Sequence, residues 1–188
     1  MQPAYLAAKV NLANLLQTRG EFAQARHLYE EVLAAQPDRK EALLNLANLY
    51  LRTGEYARAE GTYRRASTLH PQYLEAKLNL GALWQSTGRL DQARGAYEEV
   101  LAIEPEHPQA HLNLGVLLFH RNDIEPAIEH LQLAIRTQPG YPEAHVNLGV
   151  IYESAADIEQ AQREYSQALA LKPDYEKARA SLASLERR

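Results

Sequence analysis

Six prolines recur along this chain at a constant spacing of 34 residues, at Pro3, Pro37, Pro71, Pro105, Pro139 and Pro173. Two further features recur with the same period of 34 residues. The first is an Asn-Leu pair followed by Ala or Gly, which first occurs at Asn11-Leu12-Ala13. The second is an alanine twelve residues after Ala13 or its equivalent, first at Ala25. A fixed period of this size indicates one supersecondary unit stacked repeatedly, so function has to be sought in equivalent positions across the repeats.

The unit at residues 40–73 has the pattern of two amphipathic helices. Its apolar residues follow the spacing of a helix with one buried face, at Leu43, Leu46, Ala47, Leu49, Tyr50, Tyr56, Ala59, Tyr63 and Ala66. Thr53-Gly54-Glu55 interrupts the pattern, and Gly54 can adopt the left-handed conformation that ends a helix. Pro71 then ends the second helix. Two helices of roughly 13 residues with short connections must lie antiparallel.

Small and large residues occupy fixed positions in every unit. Small residues such as Ala47, Ala59 and Ala66 allow helices to approach closely, and large residues such as Tyr50 and Tyr63 fill the space beside them. Together with the proline and Asn-Leu columns, this division resembles the tetratricopeptide repeat (TPR) family over essentially the whole chain. The resemblance implies an all-α fold, a right-handed α-solenoid (TPR superhelix) of five helix-turn-helix repeats plus a C-terminal capping helix.

The repeats differ in detail, and their boundaries follow from the resemblance. The fourth repeat has Asn122 in place of the turn glycine and Leu131 in place of tyrosine. Asn tolerates the left-handed conformation, so the fold is expected to persist there. The expected segments are TPR 1 at 6–39, TPR 2 at 40–73, TPR 3 at 74–107, TPR 4 at 108–141, TPR 5 at 142–175 and the capping helix at 176–188.

The two ends of the chain differ in character. We interpret residues 1–5 as the tail of a preceding repeat, because Pro3 and Tyr5 match the ends of later repeats. A complete protein that starts at Met1 is the alternative. In the last helix, Ser181 replaces the repeated asparagine and Glu186 replaces a large residue, which suits a solvated capping helix with a natural or near-natural C-terminus.

A ladder of asparagines is the strongest functional signal. It comprises one position on five successive first helices, at Asn11, Asn45, Asn79, Asn113 and Asn147. In the TPR family this position lines the concave surface, and the pattern resembles the superhelical arm of O-linked N-acetylglucosamine transferases, whose ladder asparagines hold substrate backbone. A carboxamide can accept from a peptide N–H and donate to a peptide C=O. The structural alternative is that each asparagine bonds to a neighbouring helix and sets the register of the repeats.

Other positions of the expected groove divide the array in two. The first two repeats add the polar residues Asn14, Gln17, Asn48 and Arg52. The fourth and fifth repeats add Leu112, Val116, Phe119, His120, Val146 and Val150. Packing between adjacent first helices explains the column that contains Leu112 and Val146, whereas the other apolar residues are candidate anchors for a ligand. We therefore expect a peptide that is polar at one end and hydrophobic at the other.

Composition excludes several other classes of function. The net charge is −4 and there is no basic stripe, so nucleic-acid binding is not expected. Nor does the sequence show a membrane span or a signal peptide, and cytoplasm is the default location. The chain has no cysteine, and His107 and His111 lack a third metal ligand. No catalytic residue, cofactor or metal site is predicted.

The sequence thus predicts a non-catalytic scaffold that binds a protein or an extended peptide. Two alternatives remain open, a substrate-recruiting arm of a larger enzyme such as a peptide glycosyltransferase, and an oligomeric assembly module. The second alternative arises because the first helix, with Tyr5, Leu6 and Leu12, is expected to leave apolar surface open to self-association.

Overall fold

The computed structural model describes residues 3–185 and residue 187, and within them the protein is entirely helical. Eleven α-helices lie in this part of the chain. They are α1 (Pro3–Thr18), α2 (Phe22–Ala35), α3 (Lys40–Arg52), α4 (Tyr56–Leu69), α5 (Leu74–Ser86), α6 (Leu90–Ile103), α7 (Pro108–His120), α8 (Ile124–Thr137), α9 (Pro142–Ser154), α10 (Ile158–Leu171) and α11 (Glu176–Leu185). The predicted all-α helical-repeat fold is confirmed. None of the described helices is long and apolar enough to cross a bilayer.

The helices group into two compact units, which we call unit 1 (residues 1–96) and unit 2 (residues 97–188). In unit 1, α1 packs on α2 and α3 packs on α4, while α2 contacts α3 and α4 contacts α5. In unit 2, α7 packs on α8 and α9 packs on α10, while α8 contacts α9 and α10 contacts α11. Within each unit, a first helix such as α3 or α9 therefore lies between its own second helix and the second helix of the repeat before it.

The turn inside each repeat has one backbone geometry. Its central residue has a positive φ, namely Gly20, Gly54, Gly88, Asn122 or Ala156. The next residue donates its N–H to the carbonyl five residues earlier, for example Glu55 to Tyr50 at 2.8 Å. This is the Schellman geometry, in which the left-handed residue lets the chain reverse while the last carbonyls stay bonded. The predictions for Gly54 and Asn122 are confirmed.

The left-handed conformation of Ala156 is the feature of these turns that sequence reasoning missed. Its φ of 59° places a Cβ against the backbone, which costs roughly 1–2 kcal/mol. We expect Ala156→Gly to stabilise the protein by about 1 kcal/mol, which corresponds to a rise in Tm of roughly 2–4 °C for a chain of this size. Thermal unfolding followed by circular dichroism measures this. Gly54→Ala is the control and should lower the Tm; a lower Tm for Ala156→Gly would contradict the argument.

The core forms where small residues of one helix face large residues of the next. Ala13 and Ala47 are fully buried, as are Tyr29 and Tyr63. At Gly149, an added Cβ would lie 2.7 Å from the ring of Tyr165. At Gly115 it would lie 2.8 Å from the side chain of Leu131. The predicted division of small and large residues therefore fixes how closely the two helices of a hairpin approach.

The first helix differs from the expectation at two residues. α1 includes Pro3, whereas the equivalent Pro37 lies in the turn before α3. The prediction that Leu6 is exposed is wrong, since only 1% of it is accessible. Leu6 lies on the same helical stripe as Val10 and Ala13 and belongs to the core of unit 1. Glu186 lies outside the described residues.

The buried tyrosines make the fold sensitive to alkali. Burial raises the pKa of Tyr29 and of Tyr165 to about 12, and it raises the pKa of Tyr63 as well, from an ordinary value of 10.0. The folded state favours the neutral phenol. The contribution of each buried phenol to the free energy of unfolding is therefore complete below about pH 10, and it is lost as the pH rises through the pKa that the group has in the folded protein.

We therefore expect the free energy of unfolding to fall progressively above about pH 10, because unfolded tyrosine ionises there while the buried phenols stay neutral. Urea unfolding at a series of pH values measures this. Tyr56, which is 53% exposed, provides the control, since Tyr56→Phe should leave the alkaline loss unchanged and Tyr63→Phe should reduce it. Stability that stays constant to about pH 12 would refute the assignment.

Candidate peptide-binding face

The ladder positions of the first helices are at least partly exposed, and we call the side of these helices that carries them, within each unit, the first-helix face of that unit. In α3 this side carries Glu41, Asn45, Asn48 and Arg52, at the i, i+4, i+7 and i+11 positions. Asn11 and Asn14 on α1 are exposed, and the equivalent residues of α3 are partly exposed. The structure therefore puts the predicted polar residues of unit 1 on a surface that a ligand can reach.

In unit 1 the ladder asparagine is bonded to the preceding repeat. Tyr29, which is buried in α2, donates its hydroxyl to Asn14 Oδ1 at 2.6 Å. The same oxygen accepts from Asn45 Nδ2 at 2.9 Å. The hydroxyl has one hydrogen, and Gln17 Oε1, at 3.2 Å, is its alternative and more distant acceptor. Asn14 thus joins the core of the first repeat to the ladder position of the second, and we call the arrangement of Tyr29, Asn14 and Asn45 a Tyr–Asn–Asn triad.

The same triad recurs one repeat later. The Tyr63 hydroxyl donates to Asn48 Oδ1, and Asn79 Nδ2 donates to that oxygen at 3.2 Å. Two consecutive triads with one geometry show that Asn45 and Asn79 link neighbouring repeats of unit 1, as the structural alternative predicted. Sequence reasoning assigned Asn14 and Asn48 to ligand binding only and missed this role, although their spacing of 34 residues carried the signal.

Arg52 is held at the end of α3 by two weak contacts. Its Nη1 donates to the Gln17 carbonyl at 3.4 Å, and its guanidinium lies over the ring of Phe22, 5.0 Å from the centroid. The side chain remains exposed. A guanidinium in this position keeps most of its five donors accessible, so Arg52 remains available to a polar ligand.

In unit 2 the ladder asparagines are held within their own helices. For Asn147, the position 31 residues earlier, which corresponds to that of Asn14 relative to Asn45, is occupied by Val116, and valine offers no acceptor. Asn113 Oδ1 accepts from Gln109 Nε2 at 2.9 Å, one turn earlier in α7. Asn147 Nδ2 donates to the Glu143 carbonyl at 2.9 Å, one turn earlier in α9. Asn113 therefore forms its hydrogen bond through the amide oxygen, whereas Asn147 forms its hydrogen bond through the amide nitrogen.

Gln109 is itself fixed by a buried tyrosine. The Tyr141 hydroxyl donates to Gln109 Oε1, which orients the Gln109 amide so that its Nε2 group faces Asn113. Burial raises the pKa of Tyr141 to about 12, and the nearby carboxylate of Glu143 contributes to this rise. The Tyr141 hydroxyl fixes the orientation of the Gln109 amide, which in turn fixes that of Asn113.

The apolar candidates of unit 2 lie on the first-helix face of that unit and are only partly buried. They are Val116, Phe119 and Val150. Val116 and Phe119 occupy the positions at which Asn14 and Gln17 bond Tyr29, and the corresponding core residue in the fourth repeat is Leu131. Because leucine has no hydroxyl, it requires no acceptor, and apolar residues are permitted at both positions.

The remaining groove residues fall into two groups. Leu112 and Val146 are 7% and 1% accessible, so packing accounts for them, as predicted for that column. His120 is exposed beside Phe119, with ring centroids 6.3 Å apart. The accessible part of this face in unit 2 therefore combines two carboxamides with three partly exposed apolar side chains and one imidazole.

The other histidines of this region bond within the helical hairpins. His111, which is 4% accessible, has Nδ1 2.9 Å from His130 Nδ1 and Nε2 2.9 Å from the Pro105 carbonyl. His145 Nδ1 lies 2.7 Å from Glu164 Oε2. The part of the chain that the structure describes contains no group of three or more residues able to hold a metal ion. Both His111 and His145 thus connect a first helix to its second helix, through partners that the sequence did not reveal.

Profiles of known families match this chain along most of its length. Tetratricopeptide repeat profiles cover residues 10–74, 85–142 and 123–185. The chain belongs to the tetratricopeptide repeat family. No curated protein matches it closely.

Several solved TPR structures share the fold. A crystal structure of MamA is 25% identical with a TM-score of 0.72, and the match covers 86% of this chain and 94% of that one. TTC0263, a thermophilic TPR protein of Thermus thermophilus, is 23% identical with a TM-score of 0.79, and the match covers 97% of this chain and 100% of that one. YrrB, described as a TPR protein with an unusual peptide-binding site, is 20% identical with a TM-score of 0.67, and the match covers 92% and 89%.

Proposed function

We propose that this TPR protein is a non-catalytic scaffold that binds an extended segment of a partner protein on its first-helix face. One observation carries the proposal. Asn113 Nδ2 and Asn147 Oδ1 have no hydrogen-bond partner within residues 3–185, although both side chains are held in place. An oriented donor and an oriented acceptor are the groups that peptide C=O and N–H require. The peptide-binding site named for YrrB, which has the same fold, is consistent with this proposal.

The contacts proposed within unit 1 are polar, and those proposed within unit 2 are largely apolar. Asn11, Asn14, Asn45, Asn48, Arg52 and Asn79 offer hydrogen bonds on the face of unit 1. Val116, Phe119 and Val150 offer an apolar surface beside the carboxamides of unit 2. Interfaces commonly depend on an aromatic anchor that is desolvated on binding, and Phe119 is the aromatic residue placed to act in this way.

We expect Phe119→Ala to weaken peptide binding more than Gln17→Ala, its equivalent in the first repeat. Loss of a desolvated aromatic anchor commonly costs about 2 kcal/mol, roughly 30-fold in Kd, whereas a partly exposed amide contributes less. The ligands are peptides of about twelve residues, selected from a random displayed library by panning against the whole chain. Calorimetry with both variants gives the two affinities.

Both variants must first show the thermal stability of the wild type or be compared at a temperature where all are folded. Equal losses of affinity would remove Phe119 as the anchor. If no selected peptide loses affinity when residues of the first-helix face are substituted, peptide binding on that face is refuted.

Self-association is a second candidate function, and the exposure of α1 favours it. Leu12 is 47% accessible, whereas its equivalents Leu46 and Leu80 are each 5% accessible because a preceding second helix covers them. Tyr5 and Leu15 are 53% and 48% accessible. Beside them, a groove of about 450 Å³ is lined by Leu12, Leu16, Ala23, Gln24, His27 and Leu28. A second copy of the chain could cover this apolar end.

We expect the wild type to self-associate with rising concentration and Leu12→Glu/Leu15→Glu to remain monomeric, since two charges would oppose burial of this end. Sedimentation velocity over a wide concentration range measures the change. Leu69→Glu is the matched control, because Leu69 is 46% exposed elsewhere on unit 1. A wild type that stays monomeric at the highest concentrations would rule out association through α1.

A further inference from the structure

Two contacts between consecutive repeats lie within unit 1, and their charged side chains are reversed from one contact to the other. We call the contact of α2 with α3 junction 1 and the contact of α4 with α5 junction 2, each with the turn that follows. Three equivalent positions hold Arg26, Glu30 and Glu55 in junction 1, and Glu60, Arg64 and Arg89 in junction 2. Each position therefore has one sign in the first junction and the opposite sign in the second.

In junction 1 a cation of α2 faces an anion of the second repeat. Arg26 Nη1 lies 3.8 Å from Glu55 Oε1. The other oxygen of Glu55 lies 2.7 Å from Arg58 Nη1. Beside this pair, Tyr50 of α3 donates its hydroxyl to Glu30 Oε1 at 3.3 Å. The side chains of α2 thus contact both the first helix and the turn of the repeat that follows.

In junction 2 an anion of α4 faces a cation of the third repeat. Glu60 Oε2 lies 2.7 Å from Arg89 Nη2, and the Glu60 side chain is only 18% accessible. Its other oxygen accepts from Trp84 Nε1 at 3.1 Å and lies 3.0 Å from Arg64 Nη2. Both guanidiniums also lie over the Trp84 ring, 5.3 and 6.0 Å from its centroid. One carboxylate therefore joins α4 to the helix and the turn of the next repeat.

The apolar contacts of the two junctions are alike. Leu46 of α3 and Leu80 of α5 are equivalent, and each is 5% accessible. Leu49 and Leu83 are also equivalent, and each is 1% accessible. Apolar burial is not directional, so it does not distinguish α3 from α5 as a neighbour for α2. Repeat proteins with such similar surfaces characteristically misassemble and exchange domains.

We propose that the reversed charges make each second helix of unit 1 selective for the repeat that follows it. If α2 packed on α5, Arg26 would face Arg89, and the Trp84 N–H would face a cation instead of a carboxylate. If α4 packed on α3, Glu60 would face Glu55. Like charges in contact exclude a wrong partner more strongly than an exposed ion pair stabilises the right one. The exclusion applies within one chain and between two copies of it.

The sequence continues the alternation for one more step. Arg94, Glu98 and Asp123, at the same three positions, restore the signs of junction 1. One repeat later, Ile128 and Gln132 are uncharged. The alternating charges therefore run through the first four repeats and stop before the fifth.

The first test reverses the charges of α4 in the whole chain. Glu60→Arg/Arg64→Glu brings a cation against Arg89 and should lower the Tm by roughly 2–4 °C. Arg89→Glu alone should also lower the Tm, because it brings two carboxylates together. The triple variant, which combines all three substitutions, should recover most of the loss. Thermal unfolding followed by circular dichroism measures each step, and a triple variant less stable than both parents would refute charge pairing across junction 2.

The second test separates selectivity from stability. In the triple variant both junctions of unit 1 carry the same signs, so α2 and α4 no longer exclude each other's partners. We expect it to form more domain-swapped dimer than the reference when both are refolded from urea at high protein concentration. Size-exclusion chromatography after dilution measures the dimer. Both proteins carry Leu12→Glu/Leu15→Glu, so that association through α1 does not contribute.

The outcomes are independent of peptide binding, since no ligand is present in either test. Recovery of the Tm together with a raised yield of dimer that persists on dilution supports selectivity. Equal yields of dimer from the triple variant and the reference would overturn it, because the charges would then only stabilise the junctions. A dimer that dissociates at once on dilution would also overturn it, since exchanged helices separate only after unfolding.

Discussion

The structure depends on the close approach of the two helices in each hairpin, where a small residue of the first helix faces a large residue of the second. Ala47 and Tyr63 are both fully buried, and Gly149 leaves no room for a Cβ beside Tyr165. Protein interiors are close-packed, so this contact sets the separation of the two helices. The 34-residue period repeats the contact, and the first-helix face follows from it.

Burial of a tyrosine ring carries a second requirement, since its hydroxyl needs a partner. In unit 1 that partner is an asparagine of the first helix, which then binds the ladder residue of the next repeat. In the fifth repeat Tyr165 donates to Glu153 instead, at 2.9 Å, and in the fourth repeat Leu131 needs no partner. The core residue and the residue at the position of Asn14 together decide which polar groups of the first helix are engaged.

Much of the fold could be predicted from the sequence, because short-range chemistry determines it. Gly54 and Asn122 adopt the predicted left-handed turns, and the alanines at helix contacts are buried. Ala156 was missed because the Schellman turn is imposed by the packing of both flanking helices, which outweighs the preference of one alanine. Leu6 was misjudged because its stripe on α1 depends on where the helix begins.

The sequence by itself determined the repeat, the helical hairpins and most of the turns, because periodicity and residue size act locally and recur. Tertiary structure alone decided what each asparagine does. Asn45 and Asn113 are equivalent in the repeat, yet one donates to Asn14 of the repeat before it and the other accepts from Gln109 of its own helix. Hydrogen bonds between side chains 31 residues apart depend on the packing of neighbouring helices, which no single repeat encodes.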